Sequence, residues 1–271
     1  MTSLGSPVAR LVAVPALWRF SEMLRLGWRE YFAANPPALV LSATAPRLVL
    51  QTLFFTVLGS VVAGPGQRQF AFVGGLALAL AGTNAVNVSN VPVTDKCYAT
   101  FWRIRSGRVR PAVVFFARAA PYPLIGLGLL VLDAALVGPL VGLPGLTLRL
   151  APLVGLYALI SVTTTAAGLA SASLSIGRHA DILVTNLLAY LIILCSGGFL
   201  PPGRVGWIDD LGKVLPVSHG LAAVRAALAG RPWAGQAGLE VLVGLGWMLL
   251  AAAAITAQAS RARRLGHDDY S

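Results

Sequence analysis

Charge is scarce in this chain, and negative charge is scarcest. Only 11% of the 271 residues are charged, and 10 acids face 21 bases. A soluble domain carries about 25% charged residues, so a water-soluble globule of this composition is excluded. Cysteine is nearly absent. Cys97 falls in a loop placed in the cytosol and Cys195 near the outer end of a span, so they make a poor disulfide pair. None of the three histidines has a second histidine or a cysteine at metal-ligand spacing, so no metal site is expected. The phosphate-cradling pattern G-x-x-x-x-G-K-[ST] is missing. Its nearest approach, Gly206 to Lys213, has five intervening residues, one too many, and Val214 stands where a hydroxyl is needed. No serine–histidine–acid set and no paired intramembrane carboxylates occur. Catalysis within this chain is therefore not expected, and any nucleotide chemistry belongs to another polypeptide. A cleavable signal peptide is not expected either, because residues 1–15 lack a long apolar core followed by a small-residue cleavage site.

What is abundant is apolar sequence: 56% of residues, with a mean hydropathy of +0.75. These residues come in runs of about 20, which is bilayer-spanning length. The reading is an all-α membrane protein, one domain over residues 1–271. Six spans are placed at 37–63, 70–90, 113–138, 151–174, 181–199 and 237–257. Residues 16–34 form an amphipathic helix. Leu17, Phe20, Leu24, Trp28, Tyr31 and Phe32 take one face, and Arg19, Glu22, Arg25 and Arg29 the other, the pattern of a helix lying in the membrane interface. Residues 1–15 carry no structural signal. Positive charge sets orientation: with both termini inside, fourteen of the 21 basic residues fall inside and six outside. The chain thus reads as a multi-pass protein of the cytoplasmic membrane with cytosolic termini. The net charge of +11 serves that orientation, and no nucleic-acid partner is implied.

Polar residues inside spans need explanation. Arg47 and Gln51 share a face of span one, with Arg47 at the interface if the helix begins near Ala45. Asn84 and Asn87 share a face of span two; such amides either join helices or line a path. Asp133 is either deep enough to need a partner or marks the outer boundary. Ser161, Thr163, Thr164 and Thr165 can bond to their own helix carbonyls. Residues 140–150 read as an outer loop. Residues 91–111 form a strongly basic cytosolic segment in which Tyr98, Phe101 and Trp102 fall on one aromatic ridge. Aromatics beside arginine are typical of interface hot spots, although a ridge sunk into the membrane interface reads the same way.

The stretch Asn186–Arg225 organises the rest. An apolar helix meets Cys195-Ser196-Gly197-Gly198, then Pro201-Pro202, which no helix continues through. Trp207-Ile208, Asp209-Asp210 and Lys213 then build a short amphipathic cap at the membrane surface. This order (Ser196-Gly197-Gly198, Leu200-Pro201, Leu215-Pro216, and Pro216 to Arg225) resembles the last third of the ABC-2 type transporter permeases. The order Asp95-Lys96, Ala99-Thr100-Phe101 and Pro111 is similar to that family's coupling helix, with alanine in place of glycine and the proline displaced. The resemblance implies an ABC exporter permease: two such chains, as a pair of copies or with a paralogue, working with two ATP-binding subunits that hold ATP and magnesium. In it, Asp95, Lys96, Tyr98, Phe101, Trp102 and Arg103 couple to the ATPase. Spans one, two and five line a path, with Gln51, Asn84 and Asn87 on it. The cap at 200–225, with Pro201, Pro216 and His219, forms an outer gate. No cofactor is held by this chain. The aliphatic spans suit an amphipathic drug, antibiotic or lipid-like cargo. A polysaccharide or glycolipid cargo is the rival within the family, and a non-transport integral membrane enzyme or scaffold the rival outside it. An ATP-binding subunit encoded in the neighbouring reading frame separates the last from the others.

Overall fold

A computed structural model describes residues 7–97, 100–107, 109–174, 181–201 and 203–265, and every regular element among them is helical. Five helical stretches are long and apolar enough to cross a membrane: Pro37–Val62, Arg68–Asp95, Pro111–Leu140, Pro144–Leu174 and Ala234–Ala262.

Helix α1 (Pro7–Ala34) starts well before residue 16, on a proline that suits a first turn. Its apolar face divides. Tyr31 is buried and packs edge-on against Tyr122, whereas Leu17, Trp18, Phe20 and Phe32 stay exposed. The crossing depends on Gly27, since a methyl there would lie 2.7 Å from the Arg118 Cα. A short helix α2 (Pro37–Leu39) passes through a π turn at Val40–Thr44 into α3 (Ala45–Val62). Gly64, at φ 89°, turns the chain toward α4 (Arg68–Asn87). A turn at Val88-Ser89 then bends the same stretch into α5 (Asn90–Cys97), so the second span runs past residue 90 to Asp95. Helix α6 (Phe101–Ser106) follows.

Prolines set the next boundaries. Helix α7 (Pro111–Ala119) and α8 (Pro121–Leu140) make one bent span, because Pro121 has no N–H to continue the ladder. The expected outer loop at 140–150 is only a turn at Val141–Leu143. After it come α9 (Pro144–Leu150), a 3₁₀ turn at Ala151–Leu153 and α10 (Val154–Leu174). Pro144 explains the difference: it sits where a new helix starts readily.

Helix α11 (Asp181–Cys195) has 15 residues, about 22 Å at 1.5 Å per residue, short of a hydrocarbon core of about 30 Å. The helix ends four residues before the expected end of the span at 199, and residues 175–180, just before it, lie outside the described residues. Residues 196–200 form bends, because the Ser-Gly-Gly break gives up helical structure. Helix α12 (Gly206–Gly212), α13 (Ser218–Leu228) and α14 (Ala234–Leu265) complete the chain.

Helices α4 and α10 are largely enclosed, while α3 and α14 keep broad outward faces. Two apolar clusters fill the bundle. One, at the end capped by α12 and α13, gathers Phe72, Leu76, Tyr157, Ile160, Ile192 and Leu221. The other, at the end bearing the basic segment 91–111, gathers Tyr31, Val88, Phe101, Phe115, Leu169 and Ile255. These are called the cap end and the basic end below.

Candidate functional site

At the basic end, α7 carries Arg118 into the protein interior, where it is 3% exposed. Its Nη1 donates to Asp95 Oδ2 at 2.5 Å, and its Nε donates to Glu30 Oε2 at 2.7 Å. Thr100 Oγ1 donates to the other Asp95 oxygen at 2.9 Å. One guanidinium therefore joins α1, α5 and α7. A buried charge persists only when paired and hydrogen-bonded, and here two carboxylates meet the requirement. Burial beside this cluster pushes the Tyr31 phenol above its ordinary value, so it stays neutral.

The aromatic ridge does not stand as one surface. Phe101 turns into the core and stacks on Phe115, with ring centroids 6.2 Å apart. Trp102 is exposed, with the Arg103 guanidinium 5.4 Å from its ring. The cause is helical geometry: consecutive residues on α6 point about 100° apart. Tyr98 and the Lys96 side chain lie outside the described residues. Asp95 is buried rather than presented outward. Of the six residues assigned to coupling, Trp102 and Arg103 form an exposed face, while Asp95 and Phe101 fasten the segment to the bundle.

Between the ends, Asn84 is buried. Its Nδ2 donates to Ser161 Oγ at 2.7 Å, and Ser161 in turn donates to the Pro123 carbonyl. The amide joins α4, α8 and α10. Gly126 makes room for it: a Cβ there would collide with the Asn84 side chain. Gln51 and Asn87 are half-buried on α3 and α4. Asp133 is buried and accepts from Thr52 Oγ1 at 2.6 Å, so α8 and α3 meet through it. Thr164 and Thr165 bond back to their own helix carbonyls, as expected.

The cap end holds a residue that the sequence reading passed over. Glu240, on α14, is fully buried. It accepts from Thr163 Oγ1 at 2.6 Å, from the Val217 N–H at 2.9 Å and from the Gly220 N–H at 2.8 Å. The carboxylate thus caps the start of α13, where helix N–H groups lack partners. Val217 needs the help. Its φ of 86° is a rare conformation for a β-branched residue, costing about 1–3 kcal/mol. Pro216 and Val217 are buried, and α13 buries Gly220, Leu221, Ala223 and Val224. Helix α13 therefore re-enters the bundle, in contrast to the exposed α12 with Trp207. Glu240 sits six residues into α14, about 9 Å along its axis.

At the far end of α13, Arg225 Nη1 donates to the Gly197 carbonyl at 2.7 Å. Its Nη2 reaches the Gly198 and Phe70 carbonyls at 3.3 Å, and the guanidinium lies 3.5 Å from the Phe70 ring centroid. Arg225 thus satisfies carbonyls released where α11 ends. Gly74 is required there, because a methyl would overlap the Gly198 carbonyl oxygen. His219 is half-buried between Gln236 Oε1 at 3.1 Å and the Lys213 carbonyl at 3.2 Å. Pro201 is half-buried and lines a cavity of about 370 Å³ with Phe199, Arg204 and the ends of α3 and α4.

A polytopic helical bundle, with a broken helix and a re-entrant segment at one end and short helices strapped to the other, is the architecture of a membrane permease domain. A family model described as ABC-2 type transporter matches residues 23–229, and the chain belongs to that family. No curated protein matches the chain. The match ties it to transport across a membrane in partnership with an ABC ATP-binding subunit, where ATP hydrolysis resides.

Proposed function

We propose that this chain is the permease subunit of an ATP-driven exporter that moves an amphipathic small molecule, such as a drug, an antibiotic or a lipid-like compound, out across the cytoplasmic membrane. Both termini and the basic end face the cytosol, in accord with the positive charge of 91–111. Two permease chains work with two ATP-binding subunits. The exposed Trp102–Arg103 face receives the ATPase, and the Asp95–Arg118–Glu30 cluster carries its displacement into α7 and α1. The observation that carries this reading is the division of labour on α5 and α6: one set of side chains is locked into the bundle while the next presents an aromatic–cationic face outward. Gln51 and Asn87 contribute polar points to an otherwise aliphatic path, and Pro201, Pro216 and His219 bound its outer mouth.

An amphipathic cargo accords with the exposed, mostly apolar faces of α3 (Leu50, Phe54, Val57) and α11 (Leu183, Leu187, Tyr190). Such faces admit a molecule from the side, whereas a sugar chain needs continuous ring stacking that α4 and α10 do not offer. The test uses inverted vesicles containing the permease and its partner ABC ATP-binding subunit. ATP should drive accumulation of lipophilic dyes or labelled lipids in the vesicle lumen. Accumulation of an oligosaccharide instead, or of nothing in the presence of a bound and active ATPase, overturns the cargo assignment.

A further inference from the structure

The cap end carries positive charge that the transport reading leaves unused. Arg149, in the last turn of α9, and Arg225, in the last turn of α13, line one cavity of about 270 Å³ with Gln69, Phe70, Leu146 and Leu228. Among the described residues neither guanidinium has a carboxylate partner; both donate to backbone carbonyls only. Arg149 Nη2 bonds the Leu228 carbonyl at 2.5 Å, one donor of the five that a guanidinium offers. The carbonyls come chiefly from the ends of α13 and α11, and each helix terminus supplies about half a negative charge, together about one against two full positive charges. The basic end contrasts with this, since Arg118 there meets two carboxylates.

The cavity also has the polarity of a lipid site. Phe70, Leu146 and Leu228 supply apolar walls, Gln69 and Arg149 open to the surface, and Leu148 beside them is 76% exposed. An unneutralised arginine fork beside an apolar wall, at the end of a membrane bundle, matches a phosphate carried on an acyl-chain anchor. We propose that this cavity binds the phosphate of an anionic phospholipid headgroup, with Arg149 as its chief contact and Arg225 supplying field from the floor. Bound there, the lipid would bridge α9 to the end of α13 and so steady the re-entrant segment. The site does not depend on what is transported.

Native mass spectrometry of the purified protein tests this, with phosphatidylglycerol or phosphatidylcholine added. Phosphatidylglycerol should be retained in preference to phosphatidylcholine. Arg149→Gln should weaken that retention about tenfold, the loss of one charge-assisted contact, while costing thermal stability without added lipid no more than one exposed hydrogen bond, that to the Leu228 carbonyl. Arg149→Lys, which keeps the charge but loses the fork, should lose less and serves if the glutamine variant does not fold. Arg204→Gln, outside the cavity, should change nothing. Inorganic phosphate at equal concentration should not displace the lipid. Equal retention of phosphatidylcholine, indifference to Arg149→Gln, or displacement by inorganic phosphate overturns the proposal.

Discussion

The two ends of this bundle neutralise buried charge in opposite ways. At the basic end, a guanidinium meets carboxylates: Arg118 with Asp95 and Glu30. At the cap end, charged side chains meet the backbone: Glu240 accepts from two N–H groups and Arg225 donates to three carbonyls. The difference follows from the chain path. Arg118 and Asp95 also lie near the ends of α7 and α5, but there α1, α5 and α7 bring side chains of opposite sign together, so the side chains pair with each other across helices. Near Glu240 and Arg225 the helices are broken, at Cys195 and at Val217. Broken helices release donors and acceptors that cannot reach water, and fixed charges take them up. Side-chain pairs between helices can exchange partners as helices move. A carboxylate gripping the start of a re-entrant helix holds a fixed frame.

Substitutions separate these two designs. The largest effect is expected for Arg118→Met, which leaves Asp95 buried without its counter-charge and should cost about 3–5 kcal/mol in detergent unfolding. Adding Asp95→Asn to it should restore part of that loss, because the two residues act as a pair. Glu240→Ala should cost about 3 kcal/mol by stranding two N–H groups, and Glu240→Gln less. Substituting its one side-chain partner, Thr163→Val, should restore only a small part of the loss, since the other two partners, at Val217 and Gly220, are backbone; a full rescue would erase the contrast. Thr52→Val should cost about 1 kcal/mol, one hydrogen bond to Asp133, at neither end. Trp102→Ala should leave stability within about 0.5 kcal/mol, yet lower ATPase association. Phe101→Ala should do the reverse first, destabilising by about 3 kcal/mol or more through the cavity it opens.

The spans were legible because lipid forces long apolar runs, and Pro111, Pro121 and Pro144 mark real helix starts. The family was legible in the Ser-Gly-Gly, Leu-Pro and Pro216-to-Arg225 order, whose physical content is now plain: a helix break, a buried turn, and an arginine holding the break. The depth of α13 was not legible. Its sequence, SHGLAAVRAAL, is as amphipathic as a surface helix, and the buried Glu240 on the following helix holds its start inside the bundle. That glutamate was the available signal, an acid within an apolar span with no base beside it. The role of Arg118 was not legible, because nothing local links it to Glu30, 88 positions away. The split of the aromatic ridge depended on which side of α6 meets Phe115, a tertiary fact that spacing does not carry.

The account's central claim is that the basic end receives the ATPase and the cap end does not. Photo-crosslinkers placed at position 102 and at position 207, on the exposed Trp102 and Trp207, test it in the assembled complex. A crosslink to the ATP-binding subunit is expected from position 102 and none from position 207. A crosslink from position 207, or its absence from position 102 in a complex that still hydrolyses ATP, would contradict it.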